Sequence, residues 1–326
     1  MVQFMPKVEK LFLREGLMPG ELNEQQIRKT AIVLGLPIDF VRKDYFVTKA
    51  IRLLAAVQND YFELIFQGGT SLSKGYRLIN RLSEDLDFRV RLKSNKSGLG
   101  KNSKRTHLRL FRKLLIDALV SAGFDIQSEH VKVFYEGRYM SIRASFDGGG
   151  ALTYLKPHIA IDCFLGELEL EPQVKEISSM VKVTLGDECD HQYFPVACVA
   201  LDETAAEKWV ALTRRVVRAT EKERDSDKHL VRHLYDLNQL INNRKLSEQY
   251  FSVVKRVLEK EQIMFASEPA TDTEEKLSYS RKALHDLRNN SKWLAHWDSF
   301  LEQMVYQSDK PTFEQALSTV EKLMLF

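Results

Sequence analysis

A chain of 326 residues can hold one large or two ordinary domains with an ample core, and 44% hydrophobic against 29% charged residues describes a globular protein. No apolar run reaches membrane-spanning length, the N-terminus around Lys7, Glu9 and Lys10 lacks a signal-peptide layout, and no membrane partner is expected. Cys163, Cys189 and Cys198 form neither a disulfide framework nor a zinc pattern, so a reducing cytoplasm is expected; a net charge of +3 says less about partners than its distribution does.

Residues 1–60 read as helical. Leu22 to Leu34 is one segment, ended by Gly35 and Pro37, and Phe40 to Val57 is a second with its apolar residues on one face. The charged triplet Arg42-Lys43-Asp44 reads as a solvated part of that helix. Next, Leu64-Ile65-Phe66 forms a short buried strand that runs into Gly68-Gly69. Paired glycines allow a sharp turn and close approach to a ligand. Thr70 or Ser71 is then expected to cap a helix through Leu72, Tyr76 and Ile79, whose first N–H groups favour a phosphate.

Asp85 to Leu92 alternates strictly. As a strand it buries Leu86, Phe88, Val90 and Leu92 and sets Asp85 and Asp87 side by side on the other face. Adjacent carboxylates repel unless a cation lies between them, and oxygen ligands suit Mg²⁺. A phosphate cradle followed by a metal-binding pair points to nucleotide chemistry.

From Arg89 to Lys113 there are ten basic residues and no acidic one. Ser94 to Ser103 reads as a mobile loop, and Lys93, Lys96, Lys101, Lys104 and Arg105 on and beside it are candidate contacts to nucleic-acid phosphates. A helix is expected over Thr106 to Ala122, burying Leu110, Phe111, Leu114, Leu115, Ala118 and Leu119 and stopped by Gly123. Val131 to Tyr135 and Tyr139 to Phe146 flank a hairpin turn, and Gly148-Gly149-Gly150 marks another turn. His158 to Leu165 reads as a central strand with one carboxylate, Asp162, among apolar neighbours. Such a charge is costly unless paired or metal-bound. Met180 to Thr184 is the best strand candidate in Lys175–Leu185. From Asp202 the chain reads as helical, with Asp202 or Thr204 as a cap and a further helix starting near Asp225-Ser226-Asp227. Helices continue over Tyr250–Lys260, Leu277–Leu287 and Phe313–Leu323. Glu268 to Glu275 is a loop, and Trp293, Trp297 and Phe300 are core.

Gly68-Gly69-Thr70-Ser71-Leu72-Ser73-Lys74 followed by Ser83-Glu84-Asp85-Leu86-Asp87 resembles the AbiEii/AbiGii (MenT-like) nucleotidyltransferase toxins of the DNA polymerase β-like superfamily. Val41-Arg42-Lys43-Asp44-Tyr45-Phe46 is similar to the helix that precedes the first strand of that family. Lys208 and Arg232…Asp236 resemble its second signature. Trp209 stands where an aliphatic residue is usual and His233 where an aspartate is usual.

The resemblance implies an α+β (α/β) fold. Residues 1–198 would form a nucleotidyltransferase domain with a helical segment over 1–60 and a small mixed sheet from about residue 61, followed by a helical domain over 199–326. It also implies Mg²⁺-dependent transfer of a nucleotide from an NTP to an RNA hydroxyl, a tRNA 3′ end in the MenT type, in a toxin of a type IV toxin–antitoxin or phage-defence system. Two Mg²⁺ would be held by Asp85, Asp87 and Asp162, the last helping to deprotonate the acceptor. Gly68, Gly69, Thr70, Ser71, Lys74 and Lys208 would bind the nucleotide, Lys208 would also stabilise the leaving pyrophosphate, and Asp236 would orient Lys208 or the nucleotide. A winged-helix antitoxin is the implied partner. The alternatives are a protein or small-molecule acceptor, or a toxin that binds NTP without transfer.

Overall fold

The computed structural model describes residues 22–147, 155–221, 228–243, 246–264 and 273–324. The chain forms two compact units, Met1–Tyr76 with Ser83–Leu168 and Pro172–Cys198, and Arg77–Leu82 with Glu169–Glu171 and Val199–Phe326.

In the first unit, α1 (Glu24–Leu34) is capped by the Asn23 side chain and closed by Gly35 in the left-handed conformation, φ 63°. This suits a residue without a Cβ. Next, α2 (Ile38–Ala55) leads to β1 (Phe62–Gln67), α3 (Gly68–Lys74) and β2 (Asp85–Leu92). After them come α4 (Lys101–Ser121), β3 (Val131–Phe134), β4 (Tyr139–Ser145) and β5 (His158–Leu165). The unit ends with β6 (Gln173–Ile177), α5 (Met180–Leu185) and β7 (Phe194–Cys198).

The seven strands make one mixed sheet in the order β3-β4-β5-β2-β1-β7-β6. In its centre β1 and β2 are antiparallel, and β2 and β5 are parallel. One face is the core. Phe66, Phe88, Met140, Ile142, Ile159, Ile161 and Cys163 are buried there, and Phe62 stacks on Phe111 of α4 at 5.7 Å.

Four local expectations change. Met180 to Thr184 alternates β-branched residues like a strand, yet it is helical. Ser179 accepts the Lys182 N–H and caps it, and Val181 and Leu185, four apart, bury the same face. The helix after the glycines starts at Gly68, has no side-chain cap, and ends before Gly75 rather than running to Ile79. Instead, α4 begins at Lys101 rather than Thr106, so Lys101, Lys104 and Arg105 lie on its first turns and not in a loop, while Leu110 is 49% exposed. The helix near Asp202 starts one residue earlier, and Asp202 lies inside it, accepting the Ser247 N–H at 3.1 Å. Gly148 to Gly150, Asp225 to Asp227 and most of Glu268 to Glu275 lie outside the described residues.

The second unit is helical: α6 (Leu201–Glu221), α7 (Val231–Asn243), α8 (Tyr250–Met264), α9 (Thr273–Asn289), α10 (Ser291–Met304) and α11 (Phe313–Glu321). Trp293, Trp297 and Phe300 are buried, Trp297 lying 5.7 Å from Phe313 of α11. Residues 80–82 join this unit as a short extended segment. Leu82 N–H donates to Met304 O at 2.8 Å, and Tyr306 N–H donates to Asn80 O at 3.1 Å.

Candidate active site

Strand register decides which carboxylates meet. Asp87 of β2 is paired with Gln67 of β1 on one side and with Asp162 of β5 on the other, and Asp162 is paired with Ser141 of β4. Directly paired residues project from the same face, so Gln67, Asp87, Asp162 and Ser141 form one row. Asp85, two residues before Asp87, shares that face, opposite the one carrying Leu86, Phe88, Ile161 and Cys163.

The row is charged and only partly satisfied. Asp162 hydrogen-bonds the Tyr139 hydroxyl, whose pKa is raised first by burial and then by the Asp162 and Asp87 charges. The Oδ1 atom of Asp162 is buried and accepts no hydrogen bond among the described residues, and the same holds for Oε1 of Gln67. Burial, with the same two carboxylates, also raises the Cys163 thiol.

Gly68 has φ 78°, a conformation that side chains disfavour. A Cβ there would lie 3.0 Å from Asp87 Cγ and closer still to Oδ2, so this glycine makes room for the carboxylate. The first turn of α3 is tied to the start of β2. The Thr70 hydroxyl donates to Asp85 O at 2.6 Å and lies 2.7 Å from the Ser83 hydroxyl, while Ser71 donates to Gly68 O at 3.0 Å. Both side chains are buried. Lys74 is ion-paired with Asp44 of α2, which also accepts the Met180 N–H at 2.7 Å.

The charged triplet on α2 is not solvated as expected. Lys43 is 1% exposed and ion-paired with Glu84, the residue before β2, and it donates to Lys156 O at 2.8 Å. Burial lowers the Lys43 pKa against the opposing pull of Glu84. Glu84 also accepts the Lys156 N–H at 3.0 Å, and the Lys156 ammonium reaches Asp85 Oδ1 at 2.9 Å. A protein cation thus sits on one of the carboxylates expected to hold metal.

Among the described residues, no group of three His, Cys, Asp or Glu side chains is gathered closely enough to hold an ion. The donors nevertheless fit a hard cation in kind: three carboxylates on one sheet face, one of them with a buried oxygen that lacks a partner. Lys156 is the obstacle at Asp85, and its half-exposed pair is worth about 1 kcal/mol at most. Lys156→Gln should therefore tighten Mn²⁺ binding, measured by calorimetry, by no more than about fivefold. Unchanged affinity would mean that the ammonium does not compete.

In the basic stretch, Lys93 donates to Asn59 O at 2.6 Å, and Lys96 lies 5.3 Å from the centre of the Tyr61 ring, which stacks on His107 of α4. Lys101 forms a long, exposed pair with Glu136, at 3.7 Å.

The second unit holds a separate buried cluster. Asp236 of α7 is 0% exposed. It accepts Arg81 Nε at 2.6 Å, Arg81 Nη2 at 2.8 Å and Lys208 Nζ of α6 at 2.7 Å. Burial pushes its pKa up, but the two cations outweigh this and hold the carboxyl well below the usual range. Nearby, burial and then the Lys208 charge lower the His233 pKa to about 3, so the ring is neutral.

The family model described as nucleotidyl transferase AbiEii toxin, type IV TA system, matches residues 52–319. The chain belongs to the AbiEii family. Among solved structures it is similar to MenT4, a nucleotidyltransferase toxin from Mycobacterium tuberculosis H37Rv. The likeness has 19% identity and a TM-score of 0.41, over 92% of this chain and 99% of that one. No curated protein matches the sequence. In this AbiEii protein the match starts within α2, after Lys43 and Asp44. Gln67, Tyr139, Lys156 and Arg81 gave no sequence signal. Each is a lone polar residue whose partners are set by strand register or by a distant element.

Proposed function

We propose that this AbiEii protein transfers a nucleoside monophosphate from an NTP to a hydroxyl of RNA, with a tRNA 3′ end as the expected acceptor. The observation that carries this reading is the register of Asp87 with Asp162, beside Asp85, on one sheet face. Bound by Asp85, Asp87 and Asp162, Mg²⁺ would neutralise the triphosphate and lower the pKa of the attacking hydroxyl. Tyr139 holds Asp162 through one oxygen and leaves Oδ1 for this task. Gly68 keeps the backbone open beside Asp87, Gly69 continues the turn as a candidate nucleotide contact, and Thr70 and Ser71 brace that turn through their internal hydrogen bonds.

Lys74 acts in this scheme through Asp44, as a brace for α3 against α2, and not as a direct phosphate ligand. Lys208 is assigned the charge that develops on the pyrophosphate because it matches the family signature. Asp236 and Arg81 fix its position. Each of the four labelled NTPs, offered with total cellular RNA, tests the reaction. Label appearing only on protein, or nowhere, would overturn it. A winged-helix antitoxin encoded beside this toxin is the proposed partner.

The basic residues would hold the acceptor. Replacing Lys93, Lys96, Lys101, Lys104 and Arg105 with Gln should weaken RNA binding and leave NTP affinity unchanged. Each phosphate contact to a single strand contributes about 0.7 to the salt slope. Lys93 and Lys96 already have internal partners, so the slope should fall by about 2, the share of Lys101, Lys104 and Arg105. RNA affinity measured at two salt concentrations checks this, and equal slopes would remove the patch from the acceptor site.

A further inference from the structure

A groove of about 940 Å³ in the second unit has carboxamides as the most numerous side chains of its lining. One wall is α7, where Asn238, Gln239, Asn242 and Asn243 share a face by their spacing. The facing wall is α11 with Gln315, Ser318 and Thr319, and Asn80 and Gln307 close one end. Its charged residues cancel: Arg77 and Lys322 are offset by Asp309 and Glu314.

The chemistry of this lining is specific. A groove without net charge has little to offer a free phosphate or carboxylate. A set of planar amides offers adjacent donors and acceptors, the pattern that matches the edge of a nucleobase, and Asn and Gln pair best with adenine. Leu78 and Pro311 provide apolar surface for a ring face. The floor also has an unspent group. Asn238 is 1% exposed and its oxygen accepts from Asn242 at 3.1 Å, but its Nδ2 has no partner among the described residues. That donor lies beneath the surface of the groove, so the amides a ligand would meet are those of Gln239, Asn242 and Asn243, which are more exposed. Of the neighbouring amides, Asn80 reaches Gln307 only at 3.4 Å, while Asn243 donates to Gln239 O at 2.8 Å.

We propose that this groove binds an adenine base, presented by an unpaired nucleotide of the acceptor RNA. The base could also come from a free nucleoside. Its source, though not the groove's preference for a base edge, rests on the reading of RNA as acceptor. With no aromatic side chain in the lining, edge hydrogen bonds carry the affinity, so binding is weak and selective for the base.

The test is calorimetric titration of the full-length protein with adenosine, cytidine and tetraadenylate. Adenosine should bind and cytidine should bind roughly tenfold more weakly. The double variant Gln239→Ala, Asn242→Ala should also lose roughly tenfold for adenosine. These positions lie on the outer part of the groove and leave the buried Asn238 in place, so the variant should fold. Tetraadenylate should bind more tightly than adenosine. Equal adenosine affinity in the wild type and the double variant, or no binding of any of the three probes, would overturn the proposal. Tetraadenylate no tighter than adenosine would overturn its assignment to an RNA base. If adenosine binds through these amides while no label reaches RNA in the transfer assay, the groove stands and the RNA reading falls.

Discussion

Asp87→Ala protein should fold normally and lose nucleotide transfer by a factor on the order of 10³ or more. Asp87 stands between Gln67 and Asp162 in the strand register, so it is the central carboxylate of the row. Removing it relieves its like-charge repulsion with Asp162. Mn²⁺ affinity should fall with activity, which separates loss of the metal from loss of the nucleotide turn. Gly68→Ala should reach the same end by another route. Its Cβ would collide with the Asp87 carboxylate, and φ 78° strains any L side chain. Transfer by Asp87→Ala protein at more than a tenth of the normal rate would sink the assignment of this sheet face as the catalytic one.

The geometry of the candidate site was legible in the sequence where periodicity carried it. Asp85 and Asp87 followed from strict alternation, and Asp162 from a lone carboxylate among apolar neighbours; the register then set Asp162 beside Asp87. Lys43 and Asp44 were misread as solvated because a helix window shows charges but not their partners. Those partners are Glu84, Lys74 and the Met180 N–H, all far along the chain. Lys156 was illegible for the same reason. Met180 to Thr184 failed differently: β-branched alternation is a weak preference, and the Ser179 cap with the burial of Val181 and Leu185 outweighs it. Residues 77–82 lie between the glycine turn and β2 in sequence, yet they belong to the second unit, and no local pattern announces this.

Arg81 gives that segment its largest energetic consequence. Asp236→Ala should destabilise the second unit by about 3–5 kcal/mol, because it leaves Arg81 and Lys208 buried without their shared anion. Arg81→Leu should cost less, since Lys208 remains on Asp236. The measurement is available without separating the units. All three tryptophans, Trp209, Trp293 and Trp297, belong to the second unit, so fluorescence during urea unfolding reports on that unit. The acid response of the wild type has a defined sign. The folded pKa of Asp236 is depressed below its ordinary value of 3.8, so the unfolded chain binds the proton first. The stability due to the cluster is complete above that value and is lost as pH falls below it. Asp236→Ala should remove this acid-dependent part. A loss below about 1 kcal/mol in Asp236→Ala would show that water or rearranged side chains satisfy the two cations, and that the cluster does not fix Lys208.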